Sequence, residues 1–470
     1  MIFSSPEFFL FFGGVLLFLA LAKRQQTKKL FLLAASYFFY GYWDWRFTFL
    51  MLAMTVVNYA LGECVHQAQA QRFKKLFLLT AVVFDLGVLG FFKYYNFFID
   101  SANHALHSIH AEALGSLPTL GIILPVGISF ITFQVMAYVI DIYRGVTEPA
   151  DTFWDFALLT AFFPQLVAGP ILKAKQFLPE LQKKIIIRRQ NLLAGSQLFL
   201  LGLFRKIVVA DRLALFVDTV FENPQDFSSA TTWLAVLAYA IQIYCDFSGY
   251  SDMAIGAAKC LGYDIPINFN LPYISRSITE FWRRWHISLS TWLREYIYIP
   301  LGGNRKGKPR QYLNLWLVML LGGLWHGASW NFVLWGALHG TALAVHKFYS
   351  DHIRPKITLP TPLYNAVTWA ITLLFVCTTW VFFRSADFSE ALVILQKMYV
   401  PTLAGIDWFA TGFWISLPGL LIADYLGSVL NQGKYIQLNR LSHWFWLSFW
   451  LLGLLFLAPQ NPQPFVYFQF

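Results

Sequence analysis

Residues 311–346 read QYLNLWLVMLLGGLWHGASWNFVLWGALHGTALAVH and contain no Asp, Glu, Lys or Arg. A helix crosses a hydrocarbon core of roughly 30 Å with about 20 mainly apolar residues, so this run is long enough to lie largely within a membrane. The sequence predicts helices over 312–326 and 329–346 with a break between them. Counted from Gln311, His326 lies about 15 residues in, roughly 22 Å along the axis, well inside the bilayer rather than at its edge. Gly322, Gly323 and Gly327 around it permit close backbone approach or local unwinding, and His339 follows in the same run. An ionisable side chain at such depth is costly and marks a functional-site candidate.

The rest of the chain is built to match. Of 470 residues, 57% are hydrophobic, 19% aromatic and only 13% charged, against about 25% charged in an average soluble domain. A water-soluble enzyme, a disordered chain and a nucleic-acid-binding module are all excluded. Further helices are expected near 7–22, 29–43, 47–62, 75–92, 119–140, 192–210, 230–258, 363–383, 409–430 and 444–458. Together they give an all-α, polytopic membrane protein of about 10 to 12 spans, with interfacial and re-entrant helices. No tandem or inverted repeat and no long linker divides the sequence, so 1–470 reads as one integral domain.

The net charge of +10 sits in short loops, where Lys and Arg report topology. Lys23, Arg24, Lys28 and Lys29 follow the first apolar stretch instead of preceding it, the reverse of a cleavable signal. A retained first helix with its N-terminus on the periplasmic side is expected. Arg72, Lys74 and Lys75, then Lys173 to Arg189, fall on the same face as the first cluster. Cys64, Cys245, Cys260 and Cys377 show no paired spacing, so neither a disulfide scaffold nor a metal site is expected.

Polar residues stand out of place elsewhere too. ITEFWRRWHISLSTWLREYIYIPLGGNR (278–305), placed on one helical wheel, gathers Phe281, Trp285, Leu289, Trp292 and Tyr296 on one face. Arg283, Arg284 and Arg294 lie away from it, with His286 at the border. That is a basic, aromatic interfacial helix, either an anchor on lipid phosphates or a roof presenting His286 to a cavity. YCDFSGYSDMAIG (244–256) sets Asp246, Ser248 and Asp252 in an apolar region, where they line a tunnel or pair with Arg276, Arg283 or Arg284. LPVGISFITFQVMAYVIDIYR (124–144) and AFFPQLVAGPI (161–171) mix Pro and Gly with Gln134, Asp141 and Gln165, the mark of broken helices lining an interior.

These segments, with SYFFYGYW (36–43) and FFKYYNFF (91–98), run in an order that resembles the membrane-bound O-acyltransferase (MBOAT) family, most closely its bacterial alginate O-acetyltransferase branch. The likeness is carried by residues from about 30 to 345; from 350 to 470 it is hydropathic, implying additional C-terminal transmembrane helices. The resemblance implies a central tunnel through which an acyl group passes the bacterial inner membrane. His326 then stands at the family's intramembrane catalytic histidine and His286 at a second histidine or polar partner. Trp325, Arg283, Arg284, Asp246, Ser248, Asp252, Gln165 and His339 are candidate tunnel or supporting residues. Gln165 stands where some alginate-acetylating members have His, and Cys245 where an aromatic residue is usual, which argues against a thioester relay.

The expected chemistry is transfer of a short acyl group, most simply acetyl, from a cytoplasmic thioester to a hydroxyl. His326 serves as general base, since neutral imidazole accepts a hydroxyl proton without needing a protein nucleophile. His286 positions the donor or stabilises developing charge. Acetyl-CoA is the expected donor, with no bound cofactor. A periplasmic SGNH-type or esterase-like transferase is the expected partner, and an exported polysaccharide the final acceptor. The competing readings are D-alanylation of teichoic acid from an acyl carrier protein, a non-catalytic lipid or polysaccharide transporter, and a scaffold.

Overall fold

The computed structural model of the chain describes residues 1–109, 116–166, 169–437, 439, 441–457 and 465–466. Ser5 caps the first helix by accepting a bond from the Phe8 N–H, with Pro6 at the first helical position, where a missing N–H costs nothing. Helices α1 (Pro6–Leu21), α2 (Gln25–Gly41), α3 (Arg46–Gln67) and α4 (Gln71–Leu89) follow one another. A π-turn over Gly90–Tyr94 joins α4 to α5 (Tyr95–Ser108). Next come α6 (Ile128–Tyr143), α7 (Phe153–Ala161), the short α8 (Phe163–Leu166) and α9 (Ala174–Gln182). A second π-turn, Arg205–Ala210, links α10 (Arg189–Phe204) to α11 (Asp211–Glu222), and α12 spans Ser229–Cys260.

Two short helices, α13 (Ile278–Arg284) and α14 (Ile287–Leu293), run through a third π-turn at Arg294–Tyr298. The remaining helices are α15 (Lys308–His326), α16 (Trp330–His352), α17 (Thr361–Arg384), α18 (Phe388–Tyr399), α19 (Thr411–Asn431) and α20 (Leu441–Leu457). The protein is all-α, with no β-strand among the described residues. Five helical stretches, α3, α4 through α5, α10 through α11, α17 and α19, are long and apolar enough to cross a membrane by length and composition. It is a multi-pass membrane protein. Large side chains such as Leu10, Phe38, Val83, Leu215 and Leu421 point outward, exposed, as a lipid-facing surface requires.

Expected and observed helices agree within a few residues except in three places. A helix expected over 119–140 begins at Ile128. Pro118 and Pro125 keep the preceding chain extended, and Gly127 at φ +75° turns it into α6. A Cβ there would lie 2.7 Å from the Leu166 carbonyl oxygen, so glycine is required on both counts. The single helix expected over 278–305 is broken at His286, as described below. Short helices α5, α7, α9, α11 and α18 were not foreseen. Residues 167 and 168 of AFFPQLVAGPI, and residue 458 of the last expected helix, lie outside the described residues.

Two glycine contacts position the interior. Gly195 and Gly202 of α10 face Gly256 and Gly249 of α12, and a Cβ on Gly195 would come within 2.5 Å of the Gly256 oxygen. Small residues let helix backbones touch where lipid supplies no hydrophobic drive between helices. In α15 and α16, Gly323 abuts Gly336 and the Phe332 oxygen, while Gly336 abuts the Met319 oxygen. This second contact makes a tight hairpin whose turn, Gly327–Ser329, carries His326 at its edge.

Candidate active site

His326 is the last residue of α15. Gly327 continues in extended conformation, and a Cβ on it would collide with the Phe332 ring. Ser329 then caps α16 by accepting a bond from the Asn331 N–H. The polar G-A-S turn is therefore what ends one helix and starts the next, leaving the imidazole inside the protein at 3% exposure. It is caged by Trp325, Trp335 and Phe383, with ring centroids 5.1, 5.2 and 5.3 Å away.

The structure brings His286 to the same place, its ring centroid 6.3 Å from that of His326. It reaches there by breaking the expected helix: His286 takes a left-handed conformation at φ +44°, rare for a non-glycine residue. Asn268 supplies the reason. Its backbone oxygen accepts the Ile287 N–H at 2.9 Å, and its Oδ1 accepts the Ser288 N–H at 3.2 Å and the Ser288 hydroxyl at 2.9 Å. The amide groups freed by the break are thus satisfied from a neighbouring segment. The five residues placed on one face of the wheel, Phe281, Trp285, Leu289, Trp292 and Tyr296, are all buried, so the pattern held although the helix did not.

Asn268 also fixes the His286 tautomer. Its Oδ1 lies 3.2 Å from His286 Nδ1, and because that oxygen accepts a backbone N–H the amide cannot be flipped. Nδ1 must therefore donate, and a neutral His286 carries its lone pair on Nε2. Such a ring accepts hydrogen bonds at Nε2, which suits positioning and not stabilisation of an oxyanion. Phe247 packs edge-on against it, centroids 4.7 Å apart.

Cavities lie toward both ends of the α15–α16 hairpin. One of about 490 Å³ is lined by Lys93, Gly327, Ser329, Asn331, Phe383 and Arg384. At the other end, a cavity of about 580 Å³ is lined by Trp282, Ile287, Leu293, Met319 and Leu343. It shares Thr279, Arg283 and Lys347 with a polar vestibule of about 690 Å³ that adds Arg284 and His346. Gly327 lines the first and Ile287 the second, each the sequence neighbour of one histidine, while neither imidazole is among the residues lining them.

The other expected residues are distributed as follows. Trp325 is buried against both imidazoles and against Phe130 and Phe133. Its indole N–H has no acceptor among the described residues. Arg283 lines the basic mouth, and Arg284 pairs with Glu280 at 3.0 Å. His339 is held at both nitrogens, by the Trp282 indole N–H at 3.2 Å and the Thr379 hydroxyl at 3.0 Å. Gln165 donates to Gln134 at 3.0 Å, tying α8 to α6, and Ser248 is buried within α12.

The pairing expected for Asp246 and Asp252 with Arg276, Arg283 or Arg284 is corrected. Asp252 pairs with Arg205, which also reaches Asp424 at 2.8 Å. Asp246 pairs at 2.5 Å with Lys206, which is 2.8 Å from Asp211. Both cations belong to the π-turn after α10, and the glycine contact between α10 and α12 brings them opposite the carboxylates. Sequence reading missed Arg205, Lys206, Asn268 and Lys93; for Arg205 and Lys206 the available signal was charge inside an apolar stretch. Among the described residues, no three His, Cys, Asp or Glu side chains gather as a metal site.

Comparison with known proteins identifies the family. Residues 153–386 match the family model of the membrane-bound O-acyltransferase family. A probable alginate O-acetylase, AlgI, of Pseudomonas syringae pv. tomato is 42% identical over 431 residues, 90% of this chain and 79% of the relative. The chain belongs to the MBOAT family. It is an O-acyltransferase of the membrane. A peptidoglycan O-acetyltransferase of Helicobacter pylori is 40% identical over 77% of this chain and 72% of its own length. A teichoic acid D-alanyltransferase of Streptococcus thermophilus is 30% identical over 50% of this chain and 58% of the relative. The MBOAT match covers α7 through α17 and so includes both histidines, while Lys93 and other residues on one wall of the polar cavity precede it.

Proposed function

We propose that this MBOAT protein moves an acetyl group from a cytoplasmic thioester, acetyl-CoA, through the bacterial inner membrane to O-acetylate an exported polysaccharide such as alginate. The observation that carries the reading is the buried histidine pair, its ring centroids 6.3 Å apart, with a polar cavity at the turn of the α15–α16 hairpin and a basic mouth toward its other end. Lys28 and Lys29 bond the Ile185 oxygen at 2.8 Å and Asp155 at 2.6 Å, so the basic clusters share a face. The positive-inside rule makes that face cytoplasmic and the N-terminus periplasmic. Arg283, Arg284 and Lys347 at the mouth suit the phosphates of a CoA donor.

In this reading His326 accepts the proton of the acceptor hydroxyl as its oxygen attacks the thioester carbonyl. The C–S bond breaks, and the thiolate leaves with that proton. General-base assistance is worth about 10²- to 10⁴-fold, and enclosure supplies alignment. His286, fixed by Asn268, positions the reactants, and Trp325 offers its indole N–H to the carbonyl oxygen. A separate periplasmic SGNH-type or esterase-like transferase completes delivery to the polymer.

The peptidoglycan relative, at nearly the same identity, supports a second reading in which the acceptor is a cell-wall glycan. D-alanyl transfer rests on a shorter and weaker match. Replacement of His326 by Ala, with O-acetate measured on exported polymer and on peptidoglycan, tests the function and separates the acceptors. Loss from one polymer at unchanged membrane abundance is expected; wild-type O-acetate on both refutes the assignment.

A further inference from the structure

The last four carbonyls of a helix have no partner within it, and at the end of α15 all four find one. The Gly323 oxygen accepts the Gly327 N–H at 3.4 Å. The Leu324 oxygen accepts the Tyr94 hydroxyl at 2.6 Å. The Trp325 and His326 oxygens both accept from the Lys93 ammonium, at 2.7 and 3.0 Å. Lys93 and Tyr94 are adjacent residues of the π-turn between α4 and α5, and single π-turns inside helices recur at functional sites. An ammonium at a helix C-terminus also complements the negative end of its dipole.

We propose that Lys93 and Tyr94 are positioning residues of the acyl-transfer site, a two-residue clamp that fixes the end of α15 and with it the imidazole of His326. The proposal rests on His326 being the base, as argued above. Lys93 borders the polar cavity, yet its three N–H groups point at the Trp325 and His326 oxygens and, at 3.5 Å, the Ser129 hydroxyl. An ammonium has three donors, so Lys93 is committed to the protein and acts through His326 instead of on the acceptor. A reacting group displaced by about 1 Å can cost 10²-fold in rate, which sets the scale of the effect.

The test compares base-labile O-acetate in cells carrying Lys93→Met, Lys93→Arg, Tyr94→Phe or His326→Ala at matched membrane abundance. His326→Ala is expected at background, Lys93→Met about ten- to a hundredfold below wild type, Lys93→Arg within about fivefold of wild type, and Tyr94→Phe lowered about two- to fivefold. With purified full-length protein turning over acetyl-CoA, kcat falls in Lys93→Met and Tyr94→Phe while KM for the donor stays within about twofold. Wild-type O-acetate in Lys93→Met, or no recovery in Lys93→Arg, overturns the clamp. If Lys93→Met fails to reach the membrane, Tyr94→Phe decides: unchanged kcat overturns the proposal and lowered kcat at constant KM supports it. Wild-type O-acetate in His326→Ala instead overturns the reading of the site on which the clamp depends.

Discussion

A single amide, Asn268, holds His286 in its tautomer and in a left-handed backbone that a histidine adopts at a cost of about 1–3 kcal/mol. Asn268→Ala removes the acceptor of three hydrogen bonds and leaves buried donors unsatisfied, at about 1–3 kcal/mol each. The expected outcome is a loss of at least about tenfold in kcat with the protein still inserted; thioester turnover by purified protein checks it, and unchanged kcat would sever Asn268 from the site. His326 stood out in the sequence because an imidazole among aliphatic and aromatic neighbours has no bland solvent-facing explanation, whereas His286, beside Arg283 and Arg284 at the border of an interfacial helix, entered the candidate site only through the family resemblance. Asn268 was not legible, since nothing in NFN (268–270) states that its side chain will meet a residue eighteen positions later. Lys93 was hidden for a different reason: a lone lysine near a helix end reads as a side chain that snorkels to the interface.

Helix breaks separate what the pattern states from what only packing decides. The 278–305 stretch carries a continuous amphipathic signal, and its apolar face is buried as the signal requires, yet the backbone breaks because a neighbouring loop offers better partners to Ile287 and Ser288. Glycines are easier to read as close contacts than as contacts with a particular helix. Gly336→Leu forces α15 and α16 apart at Met319 and Gly323, at a cost above the about 1–3 kcal/mol of ordinary overpacking. Thermal unfolding in detergent should show that variant lost or markedly less stable, whereas Gly412→Leu, with no atom near its Cβ position, should match wild type. In the π-turn after α14, burial alone would raise the Glu295 pKa, but hydrogen bonds from Lys173 at 2.9 Å and Lys175 at 3.1 Å overcome it and hold the carboxyl below its usual range. A carboxylate depressed on folding stabilises above its unfolded pKa, about 4.3, and loses that contribution as pH falls through the folded value. Glu295→Gln should therefore narrow the difference in melting temperature between pH 6 and pH 3.5; an unchanged difference would show that this triad does not contribute.

Across the whole molecule, the buried ions beside the glycine contact and the two cavities beside the histidines answer separate needs. Removing one partner of a buried pair costs about 3–5 kcal/mol because a charge is left uncompensated. Asp252→Ala should thus lower membrane abundance, and pairing it with Arg205→Met should restore part of it, a recovery that immunoblotting of membranes can read. Polytopic architecture, helix positions and the order of motifs were plain from composition and hydropathy, while the burial of His326 against His286, Trp325, Trp335 and Phe383 depends on contacts among separate helices that no single segment encodes. The most direct measurement of the central claim places labelled acetyl-CoA outside sealed proteoliposomes containing the full chain and follows label in the lumen, on oligosaccharide or as acetate. The account predicts lumenal label with the wild-type protein and none with His326→Ala; lumenal label that persists in His326→Ala, or acetyl transfer confined to the donor side, would contradict it.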